Sequence, residues 1–197
     1  MRRLGETRTI AAMLVLASAS PRRQDLLRCA GISCEVQPAH IPEDPLRGED
    51  AKACAERLAR EKALRVARLR PRDAVLGADT VVVIDNQILG KPVDAVDAAR
   101  MLRLLSCRTH RVITAICLVI DGRISVASET TSVTMAEISE REISDYVASG
   151  EPMDKAGAYA IQGIASRWIP RIEGDYSNVV GLPVVLVYRT LQQAGLV

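Results

Sequence analysis

Apolar and polar positions alternate along the chain in two rhythms, one suited to strands and one to helices. Residues 13–17 form a continuous apolar run, the pattern of a buried strand. Ser20 and Pro21 then supply an N-cap and a first-turn proline, so a helix is predicted from there to about residue 30, stopped by Gly31. A short strand is predicted at 32–36, then a proline-broken loop at 38–45. The 3.6-residue stripe of 50–69 predicts a long amphipathic helix ended by Pro71. Residues 74–84 read as a strand interrupted near Asp79 and closed by a turn at Asp85-Asn86-Gln87; 94–105 read as a helix.

Two apolar runs, 111–120 and 123–135, flank Asp121-Gly122, a strong two-residue hairpin signal. Ser139-x-x-Glu142 is a capping box opening a helix that ends at Gly150. A glycine-punctuated segment fills 151–181. Residues 182–194 predict a last helix with Pro183 at N1 and Gly195 as its stop, although their valine content also allows a strand. This order of elements is that of an α/β protein with an antiparallel hairpin inside the sheet.

Composition narrows what such a fold does. The chain has 197 residues, no Phe and one Trp, so the core is aliphatic and rings for stacking a nucleic-acid polymer are scarce. The net charge of +2 does not mark a nucleic-acid binder, although residues 1–72 carry +6 and 73–197 carry −4. Arginine outnumbers lysine 22 to 4, which draws attention to Lys52, Lys62, Lys91 and Lys155 as positions where a compact ammonium is kept. Five cysteines without a CxxC, and only two histidines, assemble no zinc pattern; reduced thiols and a cytoplasmic location are expected. No apolar run approaches the length of a membrane span, so no membrane association is expected. Arg2, Arg3 and the apolar 10–17 stretch look like a short signal peptide, but its cleavage region would fall in the Ser18–Arg23 loop described next.

Nucleotide signatures of the GxxxxGK[ST] and GxGxxG kinds are absent, as are GxSxG and HExxH. The chemistry lies elsewhere. Ser18, Ser20, Arg22 and Arg23 place two hydroxyls and two guanidiniums at a helix N-terminus, where free N–H groups and the macrodipole favour an anion; an ordinary N-cap with solvated arginines fits the same spacing. Asp79, in Gly77-Ala78-Asp79-Thr80, is open to reading as a metal ligand, a general base or a turn former. Lys91 stands between Gly90 and Pro92, a fixed position for a phosphate contact. Small residues surround a few polar ones in the 154–163 segment, and Gly174-Asp175-Tyr176-Ser177-Asn178 reads as a structural polar turn. His110 reads as a structural histidine.

Taken together, LVLASASPRRQDLL, EKA at 61–63, LGADTVV at 76–82, LGKP at 89–92, DKAGAYAIQG at 154–163 and IEGDYSNVVGLP at 172–183 resemble the Maf family of nucleoside triphosphate pyrophosphatases. The resemblance implies a Maf/ITPase-like α/β fold, a mixed twisted sheet flanked by helices, with two lobes around a central nucleotide cleft. Residues 13–197 would form one catalytic domain. Residues 1–12 would be a disordered extension without family counterpart, the start being either Met1 or Met13.

It further implies cleavage of a triphosphate between the α and β phosphates, with dTTP, UTP and modified pyrimidine nucleotides as substrates. Asp79 would activate the attacking water. Ser18, Ser20, Arg22, Arg23, Lys62 and Lys91 would hold the phosphates, and Arg22, Thr80 and Gln162 would select the substrate. Glu43 and Asp79 would hold a divalent cation, Mg or Mn. The family also carries an association with cell division and septum formation, which makes a nucleotide-binding regulator the competing reading, and with homodimers. Two positions depart from the pattern: Pro42 halves an acidic pair before the long helix, and Cys107 stands where glycine is expected.

Overall fold

A computed structural model describes residues 13–197. The expected extension, 1–12, lies outside the described residues. A seven-stranded mixed sheet forms the centre. β1 (Leu14–Leu16) lies parallel to β2 (Glu35–Val36) on one side and to β3 (Ala74–Ile84) on the other. β3 pairs antiparallel with both β4 (Gln87–Leu89) and β5 (Thr109–Ile120). β5 pairs antiparallel with β6 (Arg123–Thr134), and β6 with β7 (Arg171–Glu173). The two hairpin turns are Asp85-Asn86 and Asp121-Gly122, and all four residues have positive φ, as tight two-residue hairpins require.

Helices cover the sheet in three apolar clusters. α2 (Ala51–Ala67) packs on one face of β3 and β5 through Cys54, Ala55, Leu58, Ala59 and Ala63. α1 (Pro21–Cys29) and α6 (Val184–Gln193) pack on the other face, around Leu16, Leu76 and Leu118. The third cluster gathers the far ends of β3 and β5, α3 (Ala95–Leu105), α4 (Glu140–Ala148) and the 3-10 turns between Glu151 and Trp168. β3 and β5 run through all of these layers, so a residue in the middle of β3 lies between the two lobes. A five-residue helix, α5 (Tyr176–Val180), is capped by Asp175.

Most elements fall where the pattern predicts them, including the capping box at Ser139 and the helical choice for the valine-rich end. That end is helical because Val187 and Leu191 fall on one side and enter the core, while Val185 and Tyr188 stay exposed. Three expectations change. β3 is not interrupted at Asp79: Asp79 pairs with Ala115 and Thr80 with Thr114 without a break, because the buried carboxylate finds an ammonium partner. Asp79 therefore sits within the strand and not at its end. The 32–36 strand shrinks to two residues, because only Glu35 and Val36 reach β1. Ser20 occupies the N-cap position of α1, but its side chain makes no capping bond.

Candidate active site

One cavity of about 700 Å³ opens between the lobes and is lined by Ser18, Ser20, Arg22, Arg23, Glu43, Lys62, Asp79, Thr80, Lys91 and Gln162. All ten residues singled out from the sequence thus line one cavity, although they come from six separate segments. The volume lies within the range typical of small-molecule sites.

The floor is Asp79, 6% exposed, projecting from β3. Lys62, in the fourth turn of α2, reaches it at 2.6 Å through Oδ1. The same ammonium lies 2.6 Å from Glu43 Oε1, and Lys91 lies 2.7 Å from Glu43 Oε2. A chain of alternating charges thus runs from the buried floor to the exposed rim. Burial pushes the Asp79 carboxyl above its ordinary value, against the opposing charges of Lys62 and Arg23. For Glu43, burial is outweighed by hydrogen bonds from Lys62 and Lys91, which hold its carboxyl down to about 2. The second oxygen of Asp79 has no hydrogen-bond partner among the described residues. A carboxylate with one oxygen anchored and the other free is suited to accept a proton from water.

α2 can bring Lys62 this close because β3 carries glycine at position 77. A Cβ there would lie 2.2 Å from the carbonyl oxygen of Ala59 and 2.7 Å from the backbone nitrogen of Ala63.

Beside the floor is the start of α1, whose Arg23 bonds both neighbours of Asp79. Pro21 has no N–H, so Arg22 and Arg23 present the first free backbone donors of the helix. Ser18 Oγ accepts from the N–H of Ser20 at 3.2 Å and orders the loop. Arg22 approaches Asp154 at 3.7 Å across the cavity, with its side chain about a third exposed. The donors of Arg23 instead meet protein oxygens, among them Thr80 Oγ1 and the carbonyl of Ala78.

The third wall is the 154–163 segment. It is held by a hydrogen bond from the Gly157 N–H to the carbonyl of Gly90, and it presses against Val82, where a Cβ on Gly157 would come within 2.9 Å. Gln162 lies exposed on this wall. Asp154 and Lys155 join the lining without having been assigned a role from sequence, and Lys155 spends its ammonium on Asp154 and on the carbonyl of Glu151. The signal available for them was their position at the head of DKAGAYAIQG.

Behind the wall, His110 Nε2 and Tyr159 Oη are 2.7 Å apart, both residues buried. Asn178 is fully buried and bonds Thr114, Val112 and Thr131, so the 174–178 turn has a structural duty.

Glu43 and Asp79 are hard oxygen donors already converging on one cation, the Lys62 ammonium. That donor set fits a small divalent cation bound by one or two carboxylates and completed by ligand oxygens. No group of three or more His, Cys, Asp or Glu side chains that could hold a metal ion forms among the described residues, so these residues alone offer no closed metal cage.

An anchored carboxylate, two ammoniums and a helix N-terminus around one cavity define an α/β enzyme site built for a phosphorylated small molecule. The family model described as Maf-like protein matches residues 13–194, and the chain belongs to the Maf family. It is 58% identical over 182 residues to a dTTP/UTP pyrophosphatase of Koribacter versatilis, covering 92% of this chain and 94% of that one. A dTTP/UTP pyrophosphatase of Syntrophomonas wolfei is 50% identical (91% and 96% covered), and one of Bacillus pumilus is 43% identical (93% and 97% covered). No described helix is long and apolar enough to cross a membrane.

Proposed function

We propose that the chain is a nucleoside triphosphate pyrophosphatase that hydrolyses dTTP and UTP to the monophosphate and diphosphate. The observation that carries this reading is the cavity that Asp79, anchored by Lys62, shares with the start of α1, whose free N–H groups suit an anion. The names and coverage of the relatives favour it over a regulator of cell division with incidental catalysis.

In this mechanism the triphosphate lies along the α1 N-terminus. The Arg22 and Arg23 N–H groups, Ser18, Ser20 and the Arg22 guanidinium meet its oxygens. Lys91 and Lys62 balance its charge. Asp79 takes the proton of a water aimed at the phosphorus, and its raised proton affinity improves it as a base. Most of the remaining catalysis is positioning and charge stabilisation, in which many cations and few carboxylates make physical sense.

Glu43 and Asp79 would hold a divalent cation, Mg or Mn, which neutralises phosphate charge when bound. Gln162 offers an amide to the base edge and Thr80 a hydroxyl, while Arg22 acts beside them in substrate choice. With so few aromatic residues, base recognition falls mainly to hydrogen bonds and backbone shape. We read residues 13–197 as one catalytic domain, acting in the cytoplasm and, by analogy with the family, as a homodimer.

The test is diphosphate release from a panel of triphosphates. Asp79→Asn should lower kcat by on the order of 1,000-fold while leaving nucleotide binding within reach of the parent. Chelation should stop the parent enzyme, and added Mg²⁺ or Mn²⁺ should restore it. Normal turnover by Asp79→Asn would remove Asp79 as the base.

A further inference from the structure

Arg23 stands in the first turn of α1, next to the residue that reaches across the cavity, yet its guanidinium is spent inside the protein. Nε donates to the Gly181 carbonyl at 2.7 Å. Nη1 donates to Ser18 Oγ at 3.0 Å and to the Ala78 carbonyl at 2.9 Å, and Nη2 donates to Thr80 Oγ1 at 3.0 Å. Four of the five N–H groups of a guanidinium are thus committed. The residue is only 9% exposed. A two-pronged grip on phosphate needs two free parallel donors, and Arg23 has one donor left.

The four acceptors identify a different task. Ala78 and Thr80 are the residues on either side of Asp79. Ser18 belongs to the loop before α1, and its Oγ also holds the Ser20 N–H. Gly181 is the turn between α5 and α6, with its carbonyl presented by a backbone of φ 128°. Thr80 Oγ1 in turn touches Thr114 Oγ1 at 3.0 Å, and Thr114 is bonded to the buried Asn178. One planar fork therefore joins the phosphate loop, both neighbours of the carboxylate and the C-terminal turn.

We propose that Arg23 is a positioning residue, whose guanidinium clamps the β3 segment around Asp79 to the phosphate loop and to the Gly181 turn without itself gripping phosphate. The proposal rests on the pyrophosphatase reading of the site. A lysine cannot replace this fork: its three donors radiate from one nitrogen and do not span four oxygens on three segments. With the clamp gone, the carboxylate and the phosphate loop lose their fixed relation, and a misplacement of about 1 Å at a reacting group costs on the order of 100-fold in rate.

The experiment is steady-state kinetics of Arg23→Lys with dTTP, together with inhibition by inorganic diphosphate. Arg22→Lys serves as the comparison. Arg23→Lys should lose kcat by on the order of 100-fold, with KM and the diphosphate inhibition constant within about twofold of the parent. Arg22→Lys should instead weaken both constants by about tenfold or more. A raised KM and a weakened diphosphate constant in Arg23→Lys, with kcat kept, would overturn the proposal.

Should Arg23→Lys fail to fold, the parent protein decides the matter by NMR. The Arg23 Nε–H signal should be protected from exchange and unmoved by inorganic diphosphate, while that of Arg22 shifts; the reverse pattern overturns the proposal. Absence of turnover by the parent would sink the pyrophosphatase reading and the catalytic half of this one with it. The diphosphate titration would still show whether Arg23 touches phosphate.

Discussion

Replacing Gly77 by alanine tests the packing on which the site depends. The new methyl carbon would sit 2.2 Å from the Ala59 carbonyl oxygen, 2.7 Å from the Ala63 nitrogen and 2.9 Å from the Ala63 Cβ. Restoring ordinary contact requires α2 to retreat from β3 by about 1 Å, since carbon contacts are comfortable only near 3.5 Å. Overpacking of this kind costs about 1–3 kcal/mol, and the upper end applies because the nearest clashing atoms belong to backbone rather than to a flexible side chain. For a chain of this length that predicts a drop in Tm of about 6–12 °C.

The same retreat carries Lys62 away from Asp79, whose 2.6 Å contact is the anchor of the general base. A loss of kcat on the order of 100-fold should accompany the lower Tm. Thermal unfolding followed by circular dichroism reads the first effect, and diphosphate release at a temperature well below the transition reads the second. Gly90→Ala is the comparison for stability, because nothing lies within 4 Å of the Cβ it would add. If Gly77→Ala melted within about 2 °C of the parent and turned over normally, helix–strand contact at this point could not be what seats Lys62.

Two further substitutions probe positions away from the cavity. His110 is buried, and that burial lowers its proton affinity from the ordinary 6.5 to about 4. Its folded form therefore refuses a proton that the unfolded chain accepts. Stability is complete above pH 6.5 and falls as pH drops towards 4, by about 2–3 kcal/mol at around pH 4.5 from this group. His110→Gln should remove that part of the slope, and urea unfolding at the two pH values that gives equal losses for both proteins would contradict the assignment. Cys107 holds φ 57° without being glycine, which strains an L-residue by about 1 kcal/mol. Cys107→Gly should raise Tm by about 2–4 °C, its N–H still donating to the Ala136 carbonyl; an unchanged or lower Tm would show that chain entropy offsets the relief.

Local pattern was enough for most of the elements, because each is governed by short-range rules. The capping box of α4, the Asp121-Gly122 turn and the proline and glycine limits of α1 and α2 all stand where adjacent residues put them. The 32–36 strand is shorter than its pattern predicts for the opposite reason: only β1 beside it decides how many residues pair. Asp79 shows the same division. A carboxylate in an apolar run reads as a break, yet Lys62, seventeen positions away, lets the strand continue through it.

The site divides along similar lines. Residue types pointed to an α/β protein with an anion site at Ser18–Arg23 and Lys91; the nucleotide reading and candidates such as Glu43 and Thr80 came with the resemblance to the Maf family, and all ten candidates line the cavity. What those residues do for one another was decided in three dimensions. Two adjacent arginines of one motif are indistinguishable as text; α1 directs Arg22 towards Asp154, across the cavity, and Arg23 towards Gly181, Ala78 and Thr80. Glycine at 77 is a neutral letter until α2 closes on it. The physical reason is range: caps, turns and periodicity act over a few residues, whereas partners for a buried charge come from whichever segments the packed core brings within 3 Å.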